Sequence, residues 1–186
     1  MNVNANNKAS ILTIPNILSF VRLLMIPFFI WLYCYKEDYV LTSIVLVLSG
    51  ITDLADGYIA RHFNQMSDFG KVLDPIADKL TQIAMLFCLS TNHPKMLVPV
   101  ILLIIKEIAA GICGLIIIKK KNQVNGAVWH GKVTTLLLYS MMIIHALWSD
   151  IPNILSNCLI GACVIMMLIS SVLYTLRNIK FIKSVE

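Results

Sequence analysis

Six long apolar runs joined by short polar links dominate this sequence, and they leave few folds open to it. A membrane-spanning helix needs about 20 largely apolar residues. The runs fall at about Ile17–Tyr35, Tyr39–Ala60, Phe69–Ser90, Met96–Ile118, Val133–Trp148 and Ile151–Leu176. The fifth is short, and a start near Ala127 would lengthen it. The chain of 186 residues is 58% hydrophobic and only 13% charged. Soluble domains are nearer half apolar and about a quarter charged, so polar residues are too few here to cover a water-facing surface. The expected fold is therefore all-α: an integral membrane protein with six transmembrane helices. A short amphipathic segment, "ILTIPN", leads into the first helix. No repeat or composition break divides residues 1–186, which are expected to form one membrane domain.

The N-terminal stretch "MNVNANNKAS" is polar, and no small-residue cleavage pattern follows the first apolar run. That run is expected to stay as a span rather than leave as a signal peptide. The five cysteines, Cys34, Cys88, Cys113, Cys158 and Cys163, all lie in apolar segments without metal-ligand spacing. They read as small core or lipid-facing residues.

Charge in the links sets the orientation. "KEDY", "TNHPK" and "SDIP" join spans on one side and carry only Lys36 and Lys95. The other side holds both termini, "RHFNQMSDFGK" and "KKKNQVNGAVWHGK", with most of the Lys and Arg, including Lys8, Arg61, Lys71, Lys119 to Lys121, Lys132, Arg177, Lys180 and Lys183. The positive-inside bias puts that side and both termini in the cytoplasm. The formal charge of +5 then needs no nucleic-acid partner. A basic cytoplasmic rim suits an anionic leaflet and anionic substrates.

Against this apolar background one stretch stands out. "DLADGYIARHFNQMSDFGKVLDPIAD", Asp53 to Asp78, holds five carboxylates. Asp53 and Asp56 fall in the last turns of the second helix, and Asp74 and Asp78 in the first turns of the third. Their axial offsets are about 4.5 Å and about 6 Å at 1.5 Å rise per residue. Spacings of three and four keep each pair on one helix face. Two antiparallel helices with a short link are neighbours, so the four acids converge near the cytoplasmic edge. Asp68 reads as a solvated loop residue.

Ionisable residues at membrane depth are functional candidates. A divalent cation would offset their mutual repulsion, and carboxylates are hard oxygen ligands suited to Mg²⁺, Mn²⁺ or Ca²⁺. Gly57 and Gly70 allow a ligand to approach the two helices closely. Ala60 keeps the helix surface thin, and Arg61 can reach a phosphate from the rim. Pro75 is expected in the first turn of the third helix.

The pattern Asp53-x-x-Asp56-Gly57-x-x-Ala60-Arg61, eight residues, then Gly70-x-x-x-Asp74-x-x-x-Asp78 resembles the signature of the CDP-alcohol phosphatidyltransferases at every position. The resemblance implies a CDP-linked lipid donor, most often CDP-diacylglycerol, and two divalent cations, Mg²⁺ or Mn²⁺. It implies Asp53, Asp56 and Asp74 as metal ligands. Asp78 would be the general base and a further ligand. Gly57, Ala60, Arg61 and Gly70 would line the CDP site together with the acids. An acceptor hydroxyl would attack the β-phosphorus and CMP would leave. Many members are dimers, so a homodimer is also implied.

"PNILSFVRLLMIPFFI" (15–30) and "LDPIADK" (73–79) resemble stretches of the bacterial phosphatidylglycerophosphate synthases, which use glycerol 3-phosphate. Cardiolipin synthases, which use phosphatidylglycerol, share both stretches, and serine-using members share the signature core. "GKVTT" (131–135) resembles the Gly-Lys-x-x-Thr segment of the glycerophosphate enzymes. A phosphorylated acceptor needs cations, and the candidates are Arg22, Lys79, Lys106 and Lys132, with Lys119 to Lys121 beside them. Lys106-Glu107 stands where those synthases carry Arg-Glu, and Lys lacks the bidentate grip of Arg. Lys119 to Lys121 also suit a membrane anchor, Arg22 can snorkel, and Lys106 can pair with a neighbouring acid.

Two other classes compete. A transporter places its charged site near the midplane on broken, repeated helices, whereas these acids lie toward one face and no repeat is visible. A catalytically idle lipid-binding relative would not need all four aspartates intact.

Overall fold

The computed structural model of the protein describes residues 13–62, 70–121 and 129–183; within its helices the side chains at 54, 56–58, 60, 61, 71, 114–121 and 178–183 are not part of that description. The described residues form α-helices and short helical turns and contain no strand. The helices are α1 (Ile14–Trp31), α2 (Tyr39–His62), α3 (Gly70–Asn92), α4 (Leu97–Lys121), α5 (Trp129–Leu147) and α6 (Asn153–Lys183). They match the six apolar runs one for one. The amphipathic lead-in expected at 11–16 is only partly described. Its residues from Thr13 on are the N-cap and first turn of α1, where Thr13 Oγ1 accepts from the Asn16 amide and Pro15 sits in the first turn. A proline is tolerated there because that amide has no helical partner to lose.

Helix ends extend further than hydropathy alone suggests. α4 runs to Lys121 and α6 to Lys183. Lysines are good helix formers, so a basic end does not by itself stop a helix. Pro75 is not in the first turn of α3, because the helix already starts at Gly70. Pro75 therefore interrupts the ladder one turn in, leaving the carbonyl of residue 71 without its usual amide. Pro27 does the same within α1.

The chain divides into two compact units, Met1–Cys88 and Leu89–Glu186. In the first, α1 packs on α2. α1 continues into a π-helical turn, Leu32–Lys36, which ends at Glu37 with φ of 52°. Asp38 then caps α2 by accepting from the Leu41 amide at 2.9 Å. Phe29, Leu32, Tyr33, Leu46, Met85 and Leu86 are buried in this unit. Two buried hydroxyls bond the backbone four residues before them: Thr42 the Asp38 carbonyl at 2.7 Å and Thr81 the Ala77 carbonyl at 2.9 Å. That removes the cost of placing an unpaired polar group away from water.

In the second unit α6 packs against both α4 and α5. Leu103, Leu138, Met141, Met142, Cys163 and Met167 are buried there. His145 links α5 to the start of α6. Its Nδ1 meets the Met141 carbonyl at 2.9 Å and its Nε2 meets Ser156 Oγ at 3.0 Å. Gly131 permits close approach to α6, since a Cβ there would lie 3.2 Å from Tyr174 Oη. The cysteines are free thiols, with Cys34 and Cys88 3.9 Å apart.

The outer surface is apolar. Leu24, Phe87, Ile105, Leu136, Ile154 and Ile165 are all exposed, while Arg22 is fully buried. This inside-out arrangement suits hydrocarbon, and the protein is an all-α membrane protein. Among the described residues, Ile14–Lys36, Pro94–Cys113 and Asn153–Arg177 are long and apolar enough to cross a membrane. The apolar part of α2, Tyr39–Asp53, is shorter. α3 carries Asp74, Asp78 and Lys79 in its N-terminal half, which lowers its hydropathy.

Candidate active site

The signature acids fall on two helices of the first unit. Asp53 lies in the C-terminal half of α2, and Asp74 and Asp78 in the first turns of α3. Asp53 is close enough to Asp78 and Asp74 to be repelled by both, and it is attracted by Arg22 and Lys79. The structure thus brings three of the four predicted aspartates into one electrostatic neighbourhood. Asp56, Gly57, Ala60 and Arg61 are in the last turns of α2, but their side chains lie outside the described residues. Gly70 is the first residue of α3 and is buried.

Asp53, Asp74 and Asp78 each have a protein partner. Arg22 Nη1 of α1 is 2.7 Å from Asp53 Oδ1; the arginine side chain is fully buried and the aspartate is 33% exposed. Ser19 Oγ, one turn before Arg22, donates to Asp74 Oδ1. Gln82 Nε2 donates to Asp78 Oδ1 at 2.8 Å, and Lys79 Nζ lies 3.2 Å from Asp78 Oδ2. Ser19 and Gln82 were not among the residues expected from sequence. The usable signal for Ser19 was the three-residue recurrence Asn16, Ser19, Arg22 in an apolar run, which marks one helix face. Arg22, expected as an acceptor cation, is paired with a signature acid.

The donor chemistry fits a hard divalent cation: carboxylate oxygens, mutually repelling, with no thiolate among them. Among the described residues no group of three His, Cys, Asp or Glu side chains is gathered closely enough to hold a metal. The fourth carboxylate, Asp56, is outside that set.

The remaining candidates belong to the second unit. Lys106 of α4 is largely buried and lies 3.5 Å from Glu107 Oε1. Lys132 of α5 is exposed. His130 stands two residues before Lys132. His130 is buried, its Nδ1 is 3.1 Å from Ser170 Oγ, and its ring meets Tyr174 edge-on. Arg177 and Lys106 both act electrostatically on it. The second unit therefore concentrates positive charge around the start of α5. Lys119 to Lys121 end α4, with side chains outside the described residues.

Residues 12–176 match the CDP-alcohol phosphatidyltransferase family. The chain belongs to that family. As a CDP-alcohol phosphatidyltransferase, it is an enzyme of phospholipid biosynthesis that works between a CDP-linked donor and an alcohol acceptor. It is 36% identical over 178 residues to a protein of Aquifex aeolicus named CDP-diacylglycerol–glycerol-3-phosphate 3-phosphatidyltransferase, covering 92% of this chain and 98% of that one. A Pseudomonas fluorescens protein of the same name is 40% identical over 84 residues, 44% of this chain and 43% of that protein. A Streptomyces coelicolor cardiolipin synthase (CMP-forming) is 48% identical over 75 residues, 38% of this transferase and 35% of the synthase.

Proposed function

We propose that this transferase moves the phosphatidyl group of CDP-diacylglycerol to the hydroxyl of glycerol 3-phosphate and releases CMP. The observation that carries this reading is the near full-length likeness to the Aquifex aeolicus protein of that name. The carboxylate neighbourhood of Asp53, Asp74 and Asp78 supports the reaction class.

Phosphoryl transfer asks the protein for positioning and charge neutralisation more than for covalent help. In this reading Asp53, Asp56, Asp74 and Asp78 hold two divalent cations, Mg²⁺ or Mn²⁺. Bound there, such ions neutralise the donor diphosphate and stabilise charge on its oxygens. Gly57, Ala60, Arg61 and Gly70 form the wall against which the CDP moiety rests. Asp78 accepts the proton of the acceptor hydroxyl as that oxygen bonds to the β-phosphorus, and the diphosphate bond breaks with its electron pair leaving on CMP. Gln82 fixes one oxygen of Asp78, so the carboxylate meets the hydroxyl in a set orientation.

Lys79, Lys106 and Lys132 are the cations assigned to the acceptor phosphate; for Lys106 and Lys132 the support is resemblance in sequence and the positive charge of their unit. Arg22 is left out of that set because its guanidinium is buried against Asp53. The excess of Lys and Arg on one side supports a site at the cytoplasmic face with both termini there. A homodimer is carried over from the family by resemblance alone.

The likeness to cardiolipin synthase favours one second reading, in which phosphatidylglycerol is the acceptor. One experiment separates them. Purified protein is given CDP-diacylglycerol, Mg²⁺ or Mn²⁺, and in turn glycerol 3-phosphate, phosphatidylglycerol or serine, and CMP and product lipid are measured. Phosphatidylglycerophosphate as the product supports the first reading. Cardiolipin or phosphatidylserine as the sole product overturns the acceptor and leaves the reaction class standing.

A further inference from the structure

α1 carries a buried polar stripe inside a helix whose other faces are apolar. Asn16, Ser19 and Arg22 expose 1%, 0% and 0% of their surface, whereas Leu24 exposes 71%. A spacing of three keeps them on one face. A guanidinium and a hydroxyl buried at membrane depth are costly unless bonded. The partners they find are not arbitrary: Arg22 takes Asp53 on α2, and Ser19 takes Asp74 on α3. A helix that contributes nothing to the aspartate signature thus grips one signature acid from each of the two helices that do. Contacts serving only to pack α1 could use any position along those helices.

The details suit a brace. Ser19 Oγ has a single proton and two acceptors in reach, Asp74 Oδ1 and the Pro15 carbonyl at 3.0 Å. The charged carboxylate is the stronger acceptor. Ser19 hydrogen-bonds one oxygen of Asp74, and Arg22 Nη1 lies within ion-pair distance of one oxygen of Asp53. Arg22 also offsets the repulsion that Asp78 and Asp74 exert on Asp53. We propose that Ser19 and Arg22 are positioning residues. They hold Asp74 and Asp53 in the rotamers and at the separation that a divalent cation and the donor diphosphate require. The inference rests on the reading above in which these two acids bind the cation. Groups that orient metal-binding side chains typically contribute about 10- to 100-fold in metal affinity.

The test is a Mn²⁺ titration of the full chain in detergent, followed by the electron paramagnetic resonance signal of free Mn²⁺, with the thermal midpoint recorded for every variant. Ser19→Ala removes the hydroxyl and Ser19→Thr keeps it. Arg22→Lys keeps the charge and loses the planar fork, so it isolates geometry from electrostatics. Ser156→Ala, in the second unit, is the control for a purely structural hydrogen bond. Ser19→Ala and Arg22→Lys are expected to weaken Mn²⁺ binding by about tenfold or more. Ser19→Thr should return to within a few-fold of wild type, and Ser156→Ala should lower the thermal midpoint without moving Mn²⁺ affinity. Wild-type affinity in folded Ser19→Ala and Arg22→Lys overturns the brace while leaving the metal reading intact. An arginine variant that fails to fold leaves the serine pair to decide. A wild-type protein that binds no Mn²⁺ removes the metal reading and the brace with it.

Discussion

Gln82 Nε2 and Lys79 Nζ hold the two oxygens of Asp78 at 2.8 and 3.2 Å, so the proposed base is fixed from its own helix. Gln82 lies one turn after Asp78 and Lys79 directly follows it. Asp53 and Asp74 are reached from another helix, by Arg22 and Ser19 of α1. Asp78→Asn keeps the shape but cannot take a proton. It is expected to lower kcat by about 10²- to 10⁴-fold, the usual contribution of a general base. CDP-diacylglycerol binding, measured at equilibrium, should fall less than turnover does. Wild-type turnover in this variant would remove Asp78 from the proton transfer.

Chelation offers a second prediction. Repelling carboxylates that face a diphosphate should be inactive without a divalent cation. EDTA is expected to abolish CMP release, and added Mg²⁺ or Mn²⁺ to restore it. Full activity in chelator would sink the two-cation reading.

The lysines of the second unit give the third. Lys106→Met and Lys132→Met should raise the KM for glycerol 3-phosphate by about tenfold or more, because a hydrogen bond to a charged group contributes about 1.5–3 kcal/mol. Donor affinity should change little. Initial-rate measurements against each substrate check this, and a rise confined to the donor would reassign both residues.

Stability supplies the fourth. Ser156→Ala leaves His145 Nε2 buried without its partner. An orphaned buried polar group costs about 1–3 kcal/mol. The variant should unfold at a lower temperature in detergent, and an unchanged midpoint would show that water or a neighbour replaces the hydroxyl.

The spans were legible because lipid demands long apolar runs, and each run became one helix. Helix ends were less so: Lys121 and Lys183 look like the start of solvent, yet helix tolerates lysine. The aspartates stood out because carboxylates in an apolar sequence need a reason. Ser19 did not, since a hydroxyl in a membrane helix most often bonds its own backbone, as Thr42 and Thr81 do. Arg22 was visible as a charge, but its partner is a matter of how α1 meets α2, which no local pattern states. Pro75 was misplaced by one turn although the run was expected to begin near Phe69, because counting from Gly70 makes it the sixth helical residue.

The pairing of Arg22 with Asp53 also bears on how the chain is made. Arg22 leaves the ribosome before its partner, and at about 5–20 residues per second the gap between them lasts on the order of seconds. During that interval α1 presents a cation to the insertion machinery with no acid to meet it, a burden of about 2.5–3.5 kcal/mol at a helix centre. Asp53 relieves that burden once α2 follows, so α1 should integrate more efficiently with α2 behind it than alone. A chain truncated between them should be integrated poorly, and Arg22→Leu should rescue that fragment.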